Sequence, residues 1–181
     1  MRKYAGIGSR STPSGVLALM REIGRQNAEA GWLLRSGGAD GADSAFEQGC
    51  HSVGGKMEIF LPWAGFNKNR SNLCTVKPEA FQLASQIHPA WNILSYGAKK
   101  LHARNCYQIL GSSLDDPVEC VICWTPNGEA VGGTATAIAL AGRYKIPVYN
   151  LGLPNILANF EKQYRSHNIV NQLNDIFRDI R

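Results

Sequence analysis

The sequence predicts a doubly wound α/β domain with a mainly parallel sheet, forming a single domain over residues 1–181. Two observations lead to this prediction. Short apolar runs alternate along the chain with segments of helical periodicity, and glycine-rich turns follow three of those runs. The length of 181 residues suits one domain, and 44% hydrophobic with 18% charged residues suffices for a full core.

Each predicted strand is a short apolar run bounded by a turn residue. The first run ends at Gly8, the second follows Gly31, and the third stops at Pro62, which cannot donate to a sheet ladder. The strands are predicted over residues 4–8, 32–34, 57–61, 120–124 and 146–149.

Helix signals fall between these runs. Ser11 or Thr12 is predicted to cap a first helix that has Pro13 in its first turn and that ends at Gly31. Further helices are predicted over 42–49, 78–87, 96–110 and 136–143, with a closing amphipathic helix over 168–180. Repeated strand–helix units of this size imply right-handed crossovers and parallel strands.

Composition narrows the classes of partner. The net charge of +5 favours an anionic partner, although no run of Lys and Arg marks a nucleic-acid-binding arm. No apolar run approaches the ~20 residues that span a bilayer, and no apolar segment typical of a signal peptide follows the N-terminus. We therefore expect a cytoplasmic protein with no membrane partner. No group of side chains has metal-ligand spacing, so neither a metal nor a cofactor is predicted.

Three glycine-rich turns are the candidate ligand-binding segments. They are Gly8-Ser9-Arg10, then Ser36-Gly37-Gly38-Ala39-Asp40-Gly41-Ala42-Asp43, then Gly132-Gly133-Thr134. Glycine allows a ligand to approach backbone N–H groups, and the N-terminus of a following helix favours phosphate. The alternative for any one turn is a tight strand–helix connection, with Asp40 or Asp43 as a helix cap. Three such turns at strand carboxyl ends favour a phosphate-bearing, nucleotide-like ligand.

Individual side chains add to this hypothesis. Arg104 lies on a predicted helix and would bind phosphate through its permanently charged guanidinium, and Arg10 is a second candidate. Asp43 would accept hydrogen bonds from ribose hydroxyls or favour the positive end of its helix. Thr134 is a candidate phosphate ligand and helix cap. His102, two residues from Arg104 and on another face of the helix, is interpreted as a packing residue or as one that supports the site residues without contacting the ligand.

With these motifs the chain resembles the SLOG superfamily of Rossmann-like proteins, which includes DNA-processing protein A and the lonely-guy phosphoribohydrolases. The first two turns and residues 58–62 resemble DNA-processing protein A. Residues 101–105, Leu-His-Ala-Arg-Asn, and the Gly132-Gly133-Thr134 turn resemble two lonely-guy motifs. The resemblance covers residues 4 to about 152. It implies a homodimer or larger assembly and a phage-encoded protein.

The sequence departs from the lonely-guy pattern at one position that matters for catalysis. The glutamate that closes the second motif in those enzymes is replaced by Ala137. If the chain were an enzyme, the resemblance would make Arg104 and a displaced Glu129 its catalytic pair. Three functions stay open: a nucleotide-binding protein, which we favour, a nucleoside-monophosphate phosphoribohydrolase, and a single-stranded-DNA binder, which the scattered basic residues do not favour.

Overall fold

Five parallel strands form one sheet in a computed structural model that describes residues 1–165. They are β1 (Lys3–Gly8), β2 (Leu33–Ser36), β3 (Met57–Ile59), β4 (Cys120–Trp124) and β5 (Val148–Asn150). Their order in the sheet is β3-β2-β1-β4-β5. All four pairings are parallel, with Gly6 opposite Ile122 at the centre of the sheet. The predicted doubly wound α/β fold is confirmed.

Within residues 1–165, six α-helices cover the two faces of the sheet. They are α1 (Ser14–Glu29), α2 (Ala42–Ser52), α3 (Pro78–Ser85), α4 (Tyr96–Leu110), α5 (Ala135–Arg143) and α6 (154–165). Helices α1, α2 and α6 pack on the face that carries Tyr4, and α3, α4 and α5 pack on the face that carries Ala5. Adjacent residues of β1 enter opposite cores because side chains alternate along a strand. Among the described residues, no helix is both long and apolar enough to cross a membrane.

Helix α6 was not predicted. Its sequence begins with Pro154 and carries Ile156, Leu157 and Phe160 at helical spacing, packed against the α1–α2 side of the sheet. The signal of a proline in the first turn followed by an apolar stripe was therefore present in the sequence. The predicted closing helix over 168–180 lies outside the described residues.

Two local predictions were wrong. Neither Ser11 nor Thr12 caps α1, because Pro13 occupies the capping position and Thr12 Oγ1 instead donates to the carbonyl of Ser9 at 2.7 Å. The third strand ends at Ile59 rather than at residue 61. Phe60 N still donates to the carbonyl of Ser36 at 2.9 Å, but the next amide turns to the carbonyl of Leu73.

The strand order places a switch point between β1 and β4. From β1 the chain proceeds through β2 to β3 on one side, and β4 and β5 fill the other. Ser9 N donates to the carbonyl of Trp124 at 3.1 Å, after which the two connections diverge. Diverging connections at such a point leave a crevice at the carboxyl ends of the strands, where ligands of doubly wound sheets bind.

Candidate functional site

A cleft of about 570 Å³ lies at this switch point. Its walls come from the turn after β1, the loop after β4 and one face of α4. Nine of the predicted site residues line it: Gly8, Ser9, Arg10, Ala39, Asp43, Arg104, Gly132, Gly133 and Thr134. Ser36, Gly37, Gly38 and Asp40 do not line it, and neither does Glu129, which is exposed on the loop after β4.

Arg104 enters the cleft from α4 and is almost completely buried, with 5% of its surface exposed. Its Nη1 donates to the carbonyls of Gly37 and Phe60, the second at 3.2 Å, and lies 4.0 Å from Asp43 Oδ2. Its Nε is buried and has no hydrogen-bond partner within the described part of the chain. A buried donor without an acceptor is costly, and the guanidinium brings a positive charge to the wall of the cleft.

One broad face of α4 forms the floor of the cleft. Successive helix residues are rotated by about 100°, so His102 and Arg104 fall at opposite edges of the face made by Ala98, Leu101 and Asn105. Both edges border the cleft, and the interpretation of His102 as a packing residue was therefore incomplete. Nδ1 of His102 lies 2.8 Å from Thr136 Oγ1. Burial, with the nearby His88 and Arg104, lowers the pKa of His102 to about 4.

Two arginines face a single carboxylate in this cleft. Arg10 is exposed at the end of the first glycine turn and lies close enough to act on Arg104 electrostatically. Burial is the main reason that the pKa of Arg104 is lowered, and the charge of Arg10 lowers it further. Asp43 is the one acidic residue lining the cleft within residues 1–165. The local charge therefore favours an anionic ligand.

Asp43 and Glu47 on α2 accept hydrogen bonds from the first glycine-rich turn and from the turn that precedes their helix. Asp43 accepts from Gly8 N at 3.2 Å and from Ala39 N at 3.4 Å, and Glu47 accepts from Gly38 N at 2.9 Å. Burial raises the pKa of Asp43 to about 6, although Arg104 and these amides oppose the shift. Burial and the neighbouring Asp43 raise the pKa of Glu47 to about 7. The carboxylates thus use the N–H groups that the sequence suggested for phosphate.

The remaining residues of this turn also have partners within the protein. Ser36 Oγ donates to the carbonyl of Gly6 at 2.8 Å, and Asp40 Oδ1 accepts from Asn67 at 2.8 Å. A Cβ on Gly37 would overlap the guanidinium of Arg104. The absence of a side chain at Gly37 is therefore what allows Arg104 to lie against this turn.

The Gly132-Gly133 turn differs, because both glycines are exposed and their backbone N–H groups have no hydrogen-bond partner within residues 1–165. A Cβ on either glycine would meet no atom within 4 Å. The two backbone N–H groups have no acceptor within residues 1–165, and they precede the first turn of α5. Unpaired donors at a helix N-terminus favour an anion. Thr134 is buried and occupies the capping position of α5, but its side chain makes no capping hydrogen bond. The prediction that Thr134 caps this helix through its side chain was therefore wrong.

Sequence reasoning missed Asn105, which fixes the position of this open turn. Its Nδ2 donates to the carbonyl of Gly133 at 2.6 Å and so ties the turn to α4. Gln108 was missed as well, although it lines the cleft one helical turn further along. Gln108 follows Arg104 by four residues and Asn105 follows Leu101 by four, which is the spacing of one helix face and a signal that the predicted helix already contained.

No protein-family model and no curated protein matches the chain. Among solved structures, DNA processing protein A from Helicobacter pylori superposes with a TM-score of 0.54 at 20% identity, over 82% of this chain and 64% of that one. Two structures of the molybdenum cofactor carrier protein from Chlamydomonas reinhardtii give TM-scores of 0.51 and 0.50 at 20% and 19% identity. They cover 92% of this chain and 86% and 87% of their own.

The chain shares their fold. One of these structures is a DNA processing protein A, the protein that the motifs in the first half of the chain resemble, so that resemblance is confirmed at the level of the fold. The chain spans a little under two thirds of the length of the DNA processing protein.

Glu47 provides a prediction about stability and pH. Its pKa is raised from 4.5 to about 7 in the folded protein, so the folded state binds its proton more tightly than the unfolded state does. The resulting stabilisation is full below about pH 4.5 and is lost as the pH rises through 7. We expect Glu47→Gln to raise the free energy of unfolding by about 1–2 kcal/mol near pH 8 and to have little effect near pH 4.5. Urea unfolding at both pH values measures this, and an equal effect at both would contradict it.

Proposed function

We propose that the protein binds a small phosphate-bearing molecule, a nucleotide or a nucleotide derivative, in the cleft at the switch point. One observation carries the proposal: two arginines and the two open N–H groups of Gly132 and Gly133 border the same cleft. A phosphate bound there would receive charge-assisted hydrogen bonds from Arg10 and Arg104. The volume of about 570 Å³ lies within the range of small-molecule sites.

The names of the structural neighbours are consistent with ligand binding. One is a carrier of the molybdenum cofactor, and the other binds single-stranded DNA. We infer a comparable use of the cleft in this chain from its own donors and charges, because identities near 20% support the fold alone.

Calorimetry with AMP, GMP, CMP and UMP tests the proposal. We expect at least one of the four to bind with a dissociation constant in the micromolar to submillimolar range and to compete with inorganic phosphate. The matched comparison is the corresponding nucleoside, which lacks the phosphate and should bind at least tenfold more weakly. Equal binding of nucleoside and nucleotide would remove the phosphate from the proposal.

We propose binding rather than hydrolysis of the N-glycosidic bond. Cleavage builds positive charge on the ribose, and a carboxylate that stabilises this charge must act more strongly in the transition state than in the ground state. The position that carries glutamate in lonely-guy enzymes is Ala137, which is completely buried in the core. Glu129 does not line the cleft, and both oxygens of Asp43 already accept backbone hydrogen bonds.

We therefore expect no free base after incubation of the protein with each of the four monophosphates for several hours. Chromatography with ultraviolet detection measures the base, and a sample without protein gives the background. Release that clearly exceeds this background and disappears in Arg104→Ala would make the protein a hydrolase, and Asp43→Asn would then test the remaining carboxylate.

Binding of single-stranded nucleic acid is a second candidate, favoured by a surface beside the cleft. Residues 59–114 contain six Lys or Arg and one acidic residue, Glu79, so this segment has the same net charge of +5 as the whole chain. Phe81 and Tyr96 stack with 5.9 Å between ring centroids, and Lys100 Nζ lies 5.0 Å from the Tyr96 ring. Tyr96 is 68% exposed at the start of α4. An exposed aromatic ring beside lysines suits a stacked base and a phosphate backbone.

Fluorescence anisotropy with a labelled oligothymidine distinguishes this candidate. A nucleic-acid site should lose affinity steeply between about 50 and 200 mM salt, and Tyr96→Ala should weaken binding further. Weak binding that is insensitive to salt and to Tyr96→Ala would reject it and would leave the small-molecule proposal unaffected.

A further inference from the structure

A second cavity of about 530 Å³ lies on the other side of the Gly132-Gly133 turn. Its walls are formed by the segment after α3, by the edge of α4 and by the first turns of α5, and it includes Ile87, His88, Pro89, His102, Thr136 and Ala139. His102 and the two glycines line both this cavity and the first cleft. We refer to it as the His88–His102 cavity.

The chemistry of this cavity differs from that of the cleft. None of the described side chains that line it is a Lys, Arg, Asp or Glu. Apart from the histidines and Thr136, its walls are small or apolar residues. Such walls do not compensate a charge, but they suit an uncharged, flat group that needs only a few hydrogen bonds.

The two histidines supply those hydrogen bonds. Their ring centroids are 4.3 Å apart with 60° between the planes. Nδ1 of His88 accepts from Ala90 N at 3.2 Å, so its neutral ring carries the proton on Nε2 as a donor. Nδ1 of His102 is engaged with Thr136. Within residues 1–165 neither Nε2 has a protein partner, so both are available to a ligand.

The geometry of α4 connects the two spaces. Arg104 marks one edge of the helix face that lines the cleft, and His102 marks the other, next to the second cavity. A molecule that has its phosphate near Arg104 and lies across this face of α4 therefore directs its far end toward His102. We propose that the His88–His102 cavity binds the planar nitrogen heterocycle of the ligand whose phosphate occupies the cleft. This inference rests on the proposed function and adds a base subsite to it.

Substitutions that fill one space at a time test the subsite. Ala139 is exposed on α5 and borders the second cavity alone, whereas Ala98 on α4 borders the cleft alone. The probes are ribose 5-phosphate, which lacks a base, and whichever of AMP, GMP, CMP and UMP binds best. In the unchanged protein, we expect the nucleotide to bind at least tenfold more tightly than ribose 5-phosphate.

We expect Ala139→Trp to weaken nucleotide binding at least tenfold and to change ribose 5-phosphate binding less than twofold. Gly142→Val, three residues further along α5 and bordering neither cavity, should leave both unchanged, and Ala98→Phe should weaken both. His88→Asn should reduce nucleotide binding several-fold without affecting ribose 5-phosphate. Thermal melting of each variant confirms that it folds.

Three results are distinguishable. Nucleotide binding that Ala139→Trp leaves unchanged overturns the base subsite while the proposed function stands. Equal affinities of the unchanged protein for ribose 5-phosphate and for the nucleotide also overturn it. If neither probe binds to the unchanged protein, the proposed function fails and the subsite fails with it.

Discussion

Arg104→Ala is expected to weaken nucleotide binding by about 1.5–3 kcal/mol, because a charged donor is lost from the cleft. It should also lower the free energy of unfolding by about 1–3 kcal/mol, since the carbonyls of Gly37 and Phe60 lose their donor in a buried place. The change removes the positive charge beside Asp43, so the pKa of that carboxyl should rise further. Calorimetry measures the first effect, and urea unfolding measures the second.

Arg10→Ala is the matched control. Arg10 lines the same cleft but is exposed and forms no ion pair within residues 1–165. Its loss should therefore weaken nucleotide binding while the unfolding free energy changes by less than about 0.5 kcal/mol. If Arg104→Ala lowered stability but left nucleotide affinity unchanged, Arg104 would be a structural residue and not part of the binding site.

Gly133→Val is expected to abolish detectable nucleotide binding with almost no loss of stability. A new Cβ at this position would meet no atom within 4 Å, so the protein can accommodate the side chain. The same branched side chain would occupy the space in front of the open N–H groups. Calorimetry and thermal melting measure the two effects. Gly142→Val, at a helical glycine that also has open space around it and borders neither cavity, controls for the substitution itself.

Gly38→Val should instead lower the stability of the protein more than it affects nucleotide binding directly. Gly38 has a φ of +65° and a Cβ there would lie 2.7 Å from Leu61 Cδ2, so both the backbone conformation and the packing oppose a branched residue. We expect a loss of about 2–4 kcal/mol in unfolding free energy. If Gly133→Val destabilised the protein as much as Gly38→Val, the open turn would serve the fold and not a ligand.

The sequence was sufficient for the fold because its signals are local. The periodicity of residues 96–110, the apolar run at 120–124 and the strand–helix alternation each depend on neighbouring residues. The end of the third strand could not be predicted from neighbouring residues. Residues 60 and 61 continue the apolar run after Ile59, but the hydrogen-bond partner that takes Leu61 out of the sheet is Leu73, a contact distant in sequence.

The site could be predicted only in part, because glycine alone does not reveal which atoms occupy the space beside it. Three turns predicted phosphate binding, and the structure distinguishes them by their partners. The N–H groups of Gly38 and Ala39 are used by Glu47 and Asp43, which lie on the following helix. Those of Gly132 and Gly133 have no acceptor within residues 1–165, and both glycines line the cleft. This difference depends on side-chain directions that spacing does not determine.

Amide NMR of the isotopically labelled protein during nucleotide titration tests the central claim most directly, because it reports where a phosphate-bearing ligand lies. We predict saturable shifts for at least one of AMP, GMP, CMP and UMP, largest at Gly132 and Gly133, with a further shift at Arg10. The amides of Gly38 and Ala39, which already bind carboxylates, should move less. No shift at the Gly132-Gly133 turn with any of the four at millimolar concentration, or shifts confined to other surfaces, would contradict the claim.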